Sequence, residues 1–226
     1  QKKLNIHMKQ VITRFLVLFF LVGSGAYIVY LSLYFEDSLP IYNPSDINPK
    51  LVDKSVRGVF KDHTIGNFEL TNQLGQKVTS STFNNKIYVA CFMYTTCEGM
   101  CPAMTGNMAG VYDEFINDND IMFLSHSVTP EIDSVPMLKK FAEKYKITKH
   151  NKWHFTTGSK KHIYDLARKH YFAVESKGDG GPEDFIHTEN FVLIDKDKRI
   201  RGYYEGTDYD EIDRLKDDIE RLKDEY

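Results

Sequence analysis

Cysteine is scarce in this chain of 226 residues. There are three, too few for a disulfide-built scaffold, and the odd number leaves at least one thiol unpaired if the other two are joined. An excess of charge of either sign is also lacking. Lys and Arg number 29 against 32 Asp and Glu, a formal net charge of -3, so no basic field recommends nucleic acid as a partner. No internal repeat and no low-complexity segment is found, which excludes a repeat array. Charge is missing altogether from one stretch, Phe15 to Phe35, and that absence is the first positive signal.

The stretch reads FLVLFFLVGSGAYIVYLSLYF, long enough to cross a hydrocarbon core as a helix, which needs ~20 residues. Residues 15–35 are therefore expected to span a membrane once. Lys2, Lys3, Lys9 and Arg14 precede the run while Glu36 and Asp37 follow it, so the positive-inside rule assigns residues 1–14 to the cytoplasm and everything after Phe35 to the outside. No small-residue cleavage site follows, and no cysteine there could carry a lipid, which favours an uncleaved signal anchor over a removed signal peptide. The expected location is the bacterial inner membrane, single-pass, with the C-terminal domain in the periplasm. In that oxidising compartment a nearby cysteine pair tends toward a disulfide unless something reduces it. Gln1 is not a start methionine; Met8 is one candidate initiator and a trimmed chain the alternative, with the same topology for both.

Residues 36–62 hold Pro40, Pro44 and Pro49 among mixed polar residues with little periodicity, the pattern of an extended tether. A domain is then expected over 63–226. Asn67 to Thr71, Gly75 and Lys77 to Thr79 suggest a hairpin turning near Leu74 and Gly75. Ile87 to Met93 is a continuous apolar run of the kind buried on both faces of a parallel sheet. After Pro102, residues Met104, Met108, Val111, Tyr112 and Phe115 recur at helical spacing. Further strands are expected around Ile121 to Leu124, Trp153 to Thr157, Phe191 to Ile194 and Ile200 to Tyr204, and further helices over Ser134 to Lys146, Ser159 to His170 and Tyr209 to Lys223. This order predicts an α/β domain, a mixed sheet with helices on both faces.

Two cysteines, Cys97 and Cys101, stand where the first buried strand ends and its helix begins. Ligands of open α/β sheets bind at such ends, and a helix N-terminus favours thiolates. A cysteine motif there is the thioredoxin-like arrangement, but the spacing is C-x-x-x-C rather than the usual C-x-x-C. Three readings compete: a structural disulfide, a thiol oxidoreductase with Cys97 attacking and Cys101 resolving, and a metal site. Thiolates select soft or borderline ions such as Cu(I) and zinc, and two of them need at least one further ligand. Of eight histidines, His7 lies on the cytoplasmic side and His63 in or near the tether. His150, His154, His162 and His170 read as surface imidazoles and His126 as a core histidine. His187 follows a glycine-rich loop and precedes a strand, at the sheet end where the cysteines lie.

Thr96-Cys97-Glu98-Gly99-Met100-Cys101-Pro102 after an apolar strand, with a histidine 90 positions beyond Cys97, resembles the Sco/SenC family of membrane-anchored, thioredoxin-like copper chaperones. Ser127 to Asp133 is similar to that family's Ser-Val-Asp-Pro-Glu-x-Asp segment and Trp153 to Gly158 to its Trp-x-x-Leu-Thr-Gly segment. The resemblance implies a thioredoxin-like fold and copper, Cu(I) or Cu(II), held by Cys97, Cys101 and His187. It also implies delivery to the binuclear copper site in the copper-bearing subunit of cytochrome c oxidase, with a copper donor chaperone or a thiol reductant as further partners. On that reading the protein is a metallochaperone rather than an enzyme. The alternative is an extracytoplasmic thiol-disulfide reductase using Cys97 and Cys101 on the acceptor's cysteines; a peroxidase has no cue beyond the cysteine pair. Two positions depart from the family pattern. Thr129 and Ile186 stand where Asp is usual, and a carboxylate beside a ligating imidazole can orient it. Met93, Met100, Met104 and Met108 are expected in the core, and Cys91 as a small hydrophobe within its strand.

Overall fold

Apolar β-branched and aromatic runs become strands in this chain wherever they are long enough to be covered on both sides. The computed structural model describes residues 2–34, 38–175, 177, 178, 180, 181 and 183–226. Two units separate, one ending at Ser38 and one running from Leu39 to Tyr226.

The first unit is one helix, α1 (Lys2–Tyr34). Its segment Ile12–Tyr30 has a mean hydropathy of 2.0 and none of it is buried within the protein. At about 1.5 Å per residue, 19 residues rise close to the ~30 Å of a hydrocarbon core. By length and composition α1 is a candidate membrane span. Phe35, Glu36 and Asp37, the expected end of the span and its acidic flank, lie outside the described residues, as do Asp179 and Pro182.

The second unit is built on a seven-stranded sheet among the described residues, in the order β2-β1-β5-β4-β3-β6-β7. The strands are β1 (Glu69–Asn72), β2 (Lys77–Thr79), β3 (Ile87–Met93), β4 (Ile121–Ser127), β5 (Trp153–Thr157), β6 (Asn190–Ile194) and β7 (Ile200–Glu205). The helices are α2 (Met100–Glu114), α3 (Val135–Lys144), α4 (Lys160–Lys169) and α5 (Tyr209–Asp224). β3 runs parallel to β4, and β4 to β5, while β6 lies antiparallel against the other side of β3. Because side chains alternate along a strand, β3 feeds two cores. Ile87, Val89, Cys91 and Met93 pack with α2, α3 and α5; Tyr88, Ala90 and Phe92 pack with α4.

The mixed sheet with helices on both faces is as expected. The start of the unit is not, because the stretch read as an extended tether over 36–62 belongs to the fold from Leu39 onward. Val52 is fully buried, Tyr42 bridges to Ile200, and the Leu39 amide donates to Glu225 Oε1 at 2.8 Å. The Arg201 guanidinium donates to the Leu39 carbonyl at 2.6 Å and to Glu225. Tyr42 and Val52 pack on the α4 side of the sheet and Leu39 on the opposite side with α5, which removes these irregularly spaced residues from water without any periodic pattern.

Three histidines also differ from expectation. His154 is buried, its Nδ1 accepting from Asn72 at 3.3 Å. His63 is buried with Nε2 2.8 Å from the His170 carbonyl, and His170 Nδ1 accepts from the Gly66 amide at 3.1 Å. Strand alternation turns His154 away from the Trp153 and Phe155 core onto the α4 face, which is itself covered. His126 is a core histidine as expected, its Nδ1 3.2 Å from Thr156 Oγ1.

Candidate metal centre

The register of the sheet brings the cysteines and His187 to one end of it, beyond the carboxyl end of β3. Ala90 faces Val192 across the antiparallel pair β3/β6, so the chain ahead of Asn190 runs past Met93 toward the loop that carries Cys97. His187 lies in that approach. Cys97, Cys101 and His187 line a single cavity of about 140 Å³, walled by Phe92, Met93, Met100, Val128 and Ile186. The three thiols are unpaired.

Cys97 occupies the place of a helix cap. Gly99, the residue before α2, offers no side-chain cap, and the first amides of a helix lack intrahelical partners. The Gly99 and Cys101 amides point at Cys97 Sγ, and the Tyr94 hydroxyl and the Cys101 thiol donate to it as well. Burial would raise the Cys97 pKa, but these donors outweigh it and hold the thiol below its ordinary value. Pro102 has no amide to leave orphaned. Cys101 is different: burial first, then its donation to Cys97, pushes its pKa to about 12. Tyr94 also rises to about 12, chiefly because its hydroxyl serves Cys97. The helix terminus therefore activates one thiol of the pair, not both. Cys91, buried beneath with Sγ 3.1 Å from Ser125 Oγ, is raised by burial to about 11.

The cysteine loop is fastened by a carboxylate. Asp133 is fully buried and accepts from the Thr95 amide at 3.2 Å, Thr95 Oγ1 at 2.5 Å, Ser127 Oγ at 2.6 Å and Thr129 Oγ1 at 3.1 Å. This explains one departure: Thr129 supplies a hydroxyl donor to Asp133. The other, Ile186, is buried in the α4-side core, so its side chain anchors the loop. His187 is exposed and its ring stacks on Phe185 with centroids 6.3 Å apart. Phe185 in turn meets Tyr94 edge-on at 5.4 Å.

Among the described residues no three His, Cys, Asp or Glu side chains cluster closely enough to share an ion. The expected ligands share a cavity without converging on a point in it. Met93, Met104 and Met108 are core residues, whereas Met100 is half-buried on the cavity wall. Tyr94 as a donor to Cys97 and Asp133 as the loop's fastening were not singled out from sequence. A signal for Asp133 existed in the hydroxyl residues Ser127 and Thr129 at the end of a buried strand.

Comparison with known proteins gives the family. The SCO1 protein homolog of Bacillus subtilis is 35% identical over 150 residues, 64% of this chain and 77% of that protein. A structure of BsSco, described as a member of the Sco family of cytochrome c oxidase assembly proteins with a disulfide switch, matches with a TM-score of 0.60. It is 30% identical and the match covers 72% of this chain and 95% of the other. Copper-bound ScoI from Bradyrhizobium japonicum shares the fold with a TM-score of 0.57 at 22% identity, over 71% of this chain and 99% of that one. The SCO1/SenC family pattern matches residues 57–224, and the chain belongs to the SCO1/SenC family.

Proposed function

We propose that the protein is a membrane-tethered metallochaperone whose cargo is one copper ion, held by Cys97, Cys101 and His187 and passed to the binuclear copper site of cytochrome c oxidase. The observation that carries this is the shared cavity of two thiols and an imidazole at the carboxyl end of β3. The copper-bound and oxidase-assembly descriptions of its family neighbours support it. Thiolates suit Cu(I) and imidazole suits copper more generally. The thiols sit on a fastened loop and a helix start, whereas His187 is exposed and stands off them, so ligation needs the imidazole to turn in. An ion held from an open side can be surrendered one ligand at a time. Both cysteines must be reduced, so the Cys97–Cys101 disulfide is the metal-free form. The anchor is α1, single-pass in the bacterial inner membrane with the domain in the periplasm, and its basic N-terminal flank fits that orientation.

The unequal thiols favour a second reading, thiol-disulfide exchange. The Cys97 thiolate attacks a partner disulfide and forms a mixed disulfide, releasing one partner thiolate. Cys101 then gives up its proton and displaces the second partner sulfur. The partner gains two electrons, and Cys97 and Cys101 are left joined.

Copper titration of the reduced chain, wild type against His187→Ala, tests the first reading. One site per chain with thiolate-to-Cu(II) absorption, weakened or lost in the variant, is the expected outcome. Failure to bind either Cu(I) or Cu(II), with ready reduction of a protein disulfide, would replace the chaperone with the reductase.

A further inference from the structure

The segment Glu175 to Asp184 contains no large apolar residue, so ahead of Ile186, which is itself buried, hydrophobic burial does not hold the loop that leads to His187. A buried ion pair does. Arg168, in the last turn of α4, and Asp184 expose only 5% and 9% of their side chains. They form a two-pronged pair, Nη1 to Oδ2 at 2.6 Å and Nη2 to Oδ1 at 2.8 Å. Arg168 Nε donates to the Glu175 carbonyl at 3.3 Å, and the Gly180 amide donates to Asp184 Oδ2 at 2.7 Å. Gly178, at φ +111°, lies against the pair: a Cβ there would sit 2.4 Å from Asp184 Oδ2 and 2.5 Å from Arg168 Nη2. One turn back on α4, the Tyr164 hydroxyl accepts from the Ile186 amide and donates to the Val128 carbonyl at 2.9 Å. Val128 and Ile186 are two walls of the cavity. His187 is the next residue.

Desolvation offsets most of the Coulomb attraction in a buried pair, so such a pair is a poor source of stability. The fork-on-carboxylate geometry is directional, and direction is what a ligand needs on a loop whose approach to Ile186 has no apolar anchor of its own. We infer that the Arg168–Asp184 pair is a positioning device for His187, and that through His187 it sets the preference of the site for Cu(II) over Cu(I). The inference rests on the copper reading above. Two thiolates suit soft Cu(I) by themselves, whereas Cu(II) favours nitrogen and oxygen donors in a tetragonal set. Misplacing the imidazole therefore costs Cu(II) affinity and spares Cu(I). Neither Arg168 nor Asp184 need touch the ion.

The test uses the full-length chain in detergent: wild type, His187→Ala, the double variant Arg168→Gln with Asp184→Asn, and Gly178→Ala. The double variant removes both charges together, because a single one would leave its partner charged and buried. Gly178→Ala displaces the pair by steric contact and serves if the double variant fails to fold. Chelator competition gives Cu(I) and Cu(II) affinities separately, electron paramagnetic resonance reads nitrogen coupling to Cu(II), and thermal melting reports folding. The expected result is Cu(I) affinity close to wild type with Cu(II) affinity lower by about tenfold or more, the scale of lost outer-sphere support. Nitrogen coupling falls toward that of His187→Ala, and the reduction potential of the bound ion rises by about 59 mV per tenfold. Wild-type Cu(II) affinity and nitrogen coupling in the folded variants would overturn the inference, as would equal losses of Cu(I) and Cu(II). A wild-type chain that binds neither ion, or a His187→Ala chain that holds Cu(II) as wild type does, would overturn the copper reading and this inference with it.

Discussion

Two imidazoles buried as neutral groups make this fold acid-sensitive in a window where carboxylates are silent. His126 is fully buried and burial drives its pKa down to about 3; His154, also buried, falls to about 4 for the same reason. Each leaves its Nε2 without a protein partner among the described residues, so neither has an anion waiting to accept a proton there. In the unfolded chain both return to a pKa near 6.5. Their folded pKa values are depressed, so below that point the unfolded state binds protons that the folded state refuses. The stability these groups allow is complete above about pH 7 and declines as pH falls through 6.5 toward the folded values. From pH 7.5 to pH 5 the loss is about 2 kcal/mol for each histidine, about 4 kcal/mol together. Set against a usual total of about 5–15 kcal/mol, that is a large fraction. Aspartates contribute little in this window because they stay ionised in both states above about pH 5.

The variant His126→Phe isolates the effect. Its ring can occupy the same aromatic environment, between Phe92 at 5.1 Å and Tyr171 at 5.5 Å. Thr156 Oγ1 keeps its bond to the Ser125 carbonyl at 3.1 Å, so no donor is orphaned. Urea unfolding of residues 39–226, followed by fluorescence of the single, buried Trp153, gives stability at each pH. The difference between pH 7.5 and pH 5 should shrink by about 2 kcal/mol in the variant. A variant whose stability falls with pH as steeply as that of wild type would refute the reasoning.

The two site thiols should part company in alkylation. Cys97 is expected to react first at neutral pH, with Cys101 and Cys91 reacting only after unfolding; peptide mass mapping over time reads this, and equal rates for Cys97 and Cys101 would contradict it. Tyr94→Phe removes a donor to the Cys97 thiolate, so the rate profile should move to higher pH. Asp133→Ala strands four donors and should cost about 3 kcal/mol or more, a fall in Tm of roughly 6–12 °C. A calorimetric shift under about 2 °C would mean that the Asp133 hub adds little.

The elements that sequence pattern exposed most clearly are those whose burial is continuous or periodic. β3 is buried at every position and is an apolar run throughout, β4 is equally buried but apolar only from Ile121 to Leu124, and α5 buries Ile212, Leu215, Ile219 and Leu222 on one stripe. The segment from Leu39 to Val56 escaped because its contacts are distant in sequence. Leu39 meets Glu225 across 186 positions, and neither residue signals the other. His154 escaped for a related reason: Thr156 and His154 form the polar half of an alternating strand, and alternation alone does not say whether the second face is covered. The cysteines were legible because their chemistry and their place between strand and helix coincide. His187 was legible only as a position. Its approach to the thiols depends on β6 pairing with β3, a long-range fact that no local motif encodes.

Apolar packing and polar fastening are divided between scaffold and site. The strands and helices beneath the cavity are held by large buried side chains, and such cores tolerate volume-conserving exchange. The two loops above it are held by Asp133 and by Arg168 with Asp184, groups whose burial costs desolvation and returns direction rather than stability. Changes in the scaffold should therefore act on both arms of the site at once, through the stability of the whole. Changes at Asp133 act first on the thiol arm, and changes at Arg168 and Asp184 first on the imidazole arm. The separation follows from connectivity: Asp133 bonds Thr95, ahead of Cys97, and Ser127 and Thr129 at the end of β4, Asp184 bonds Arg168 and Gly180, ahead of His187, and the two loops meet through the Tyr164 hydroxyl, between Val128 and Ile186, rather than through either carboxylate. A site built this way can adjust one arm while the other keeps its grip.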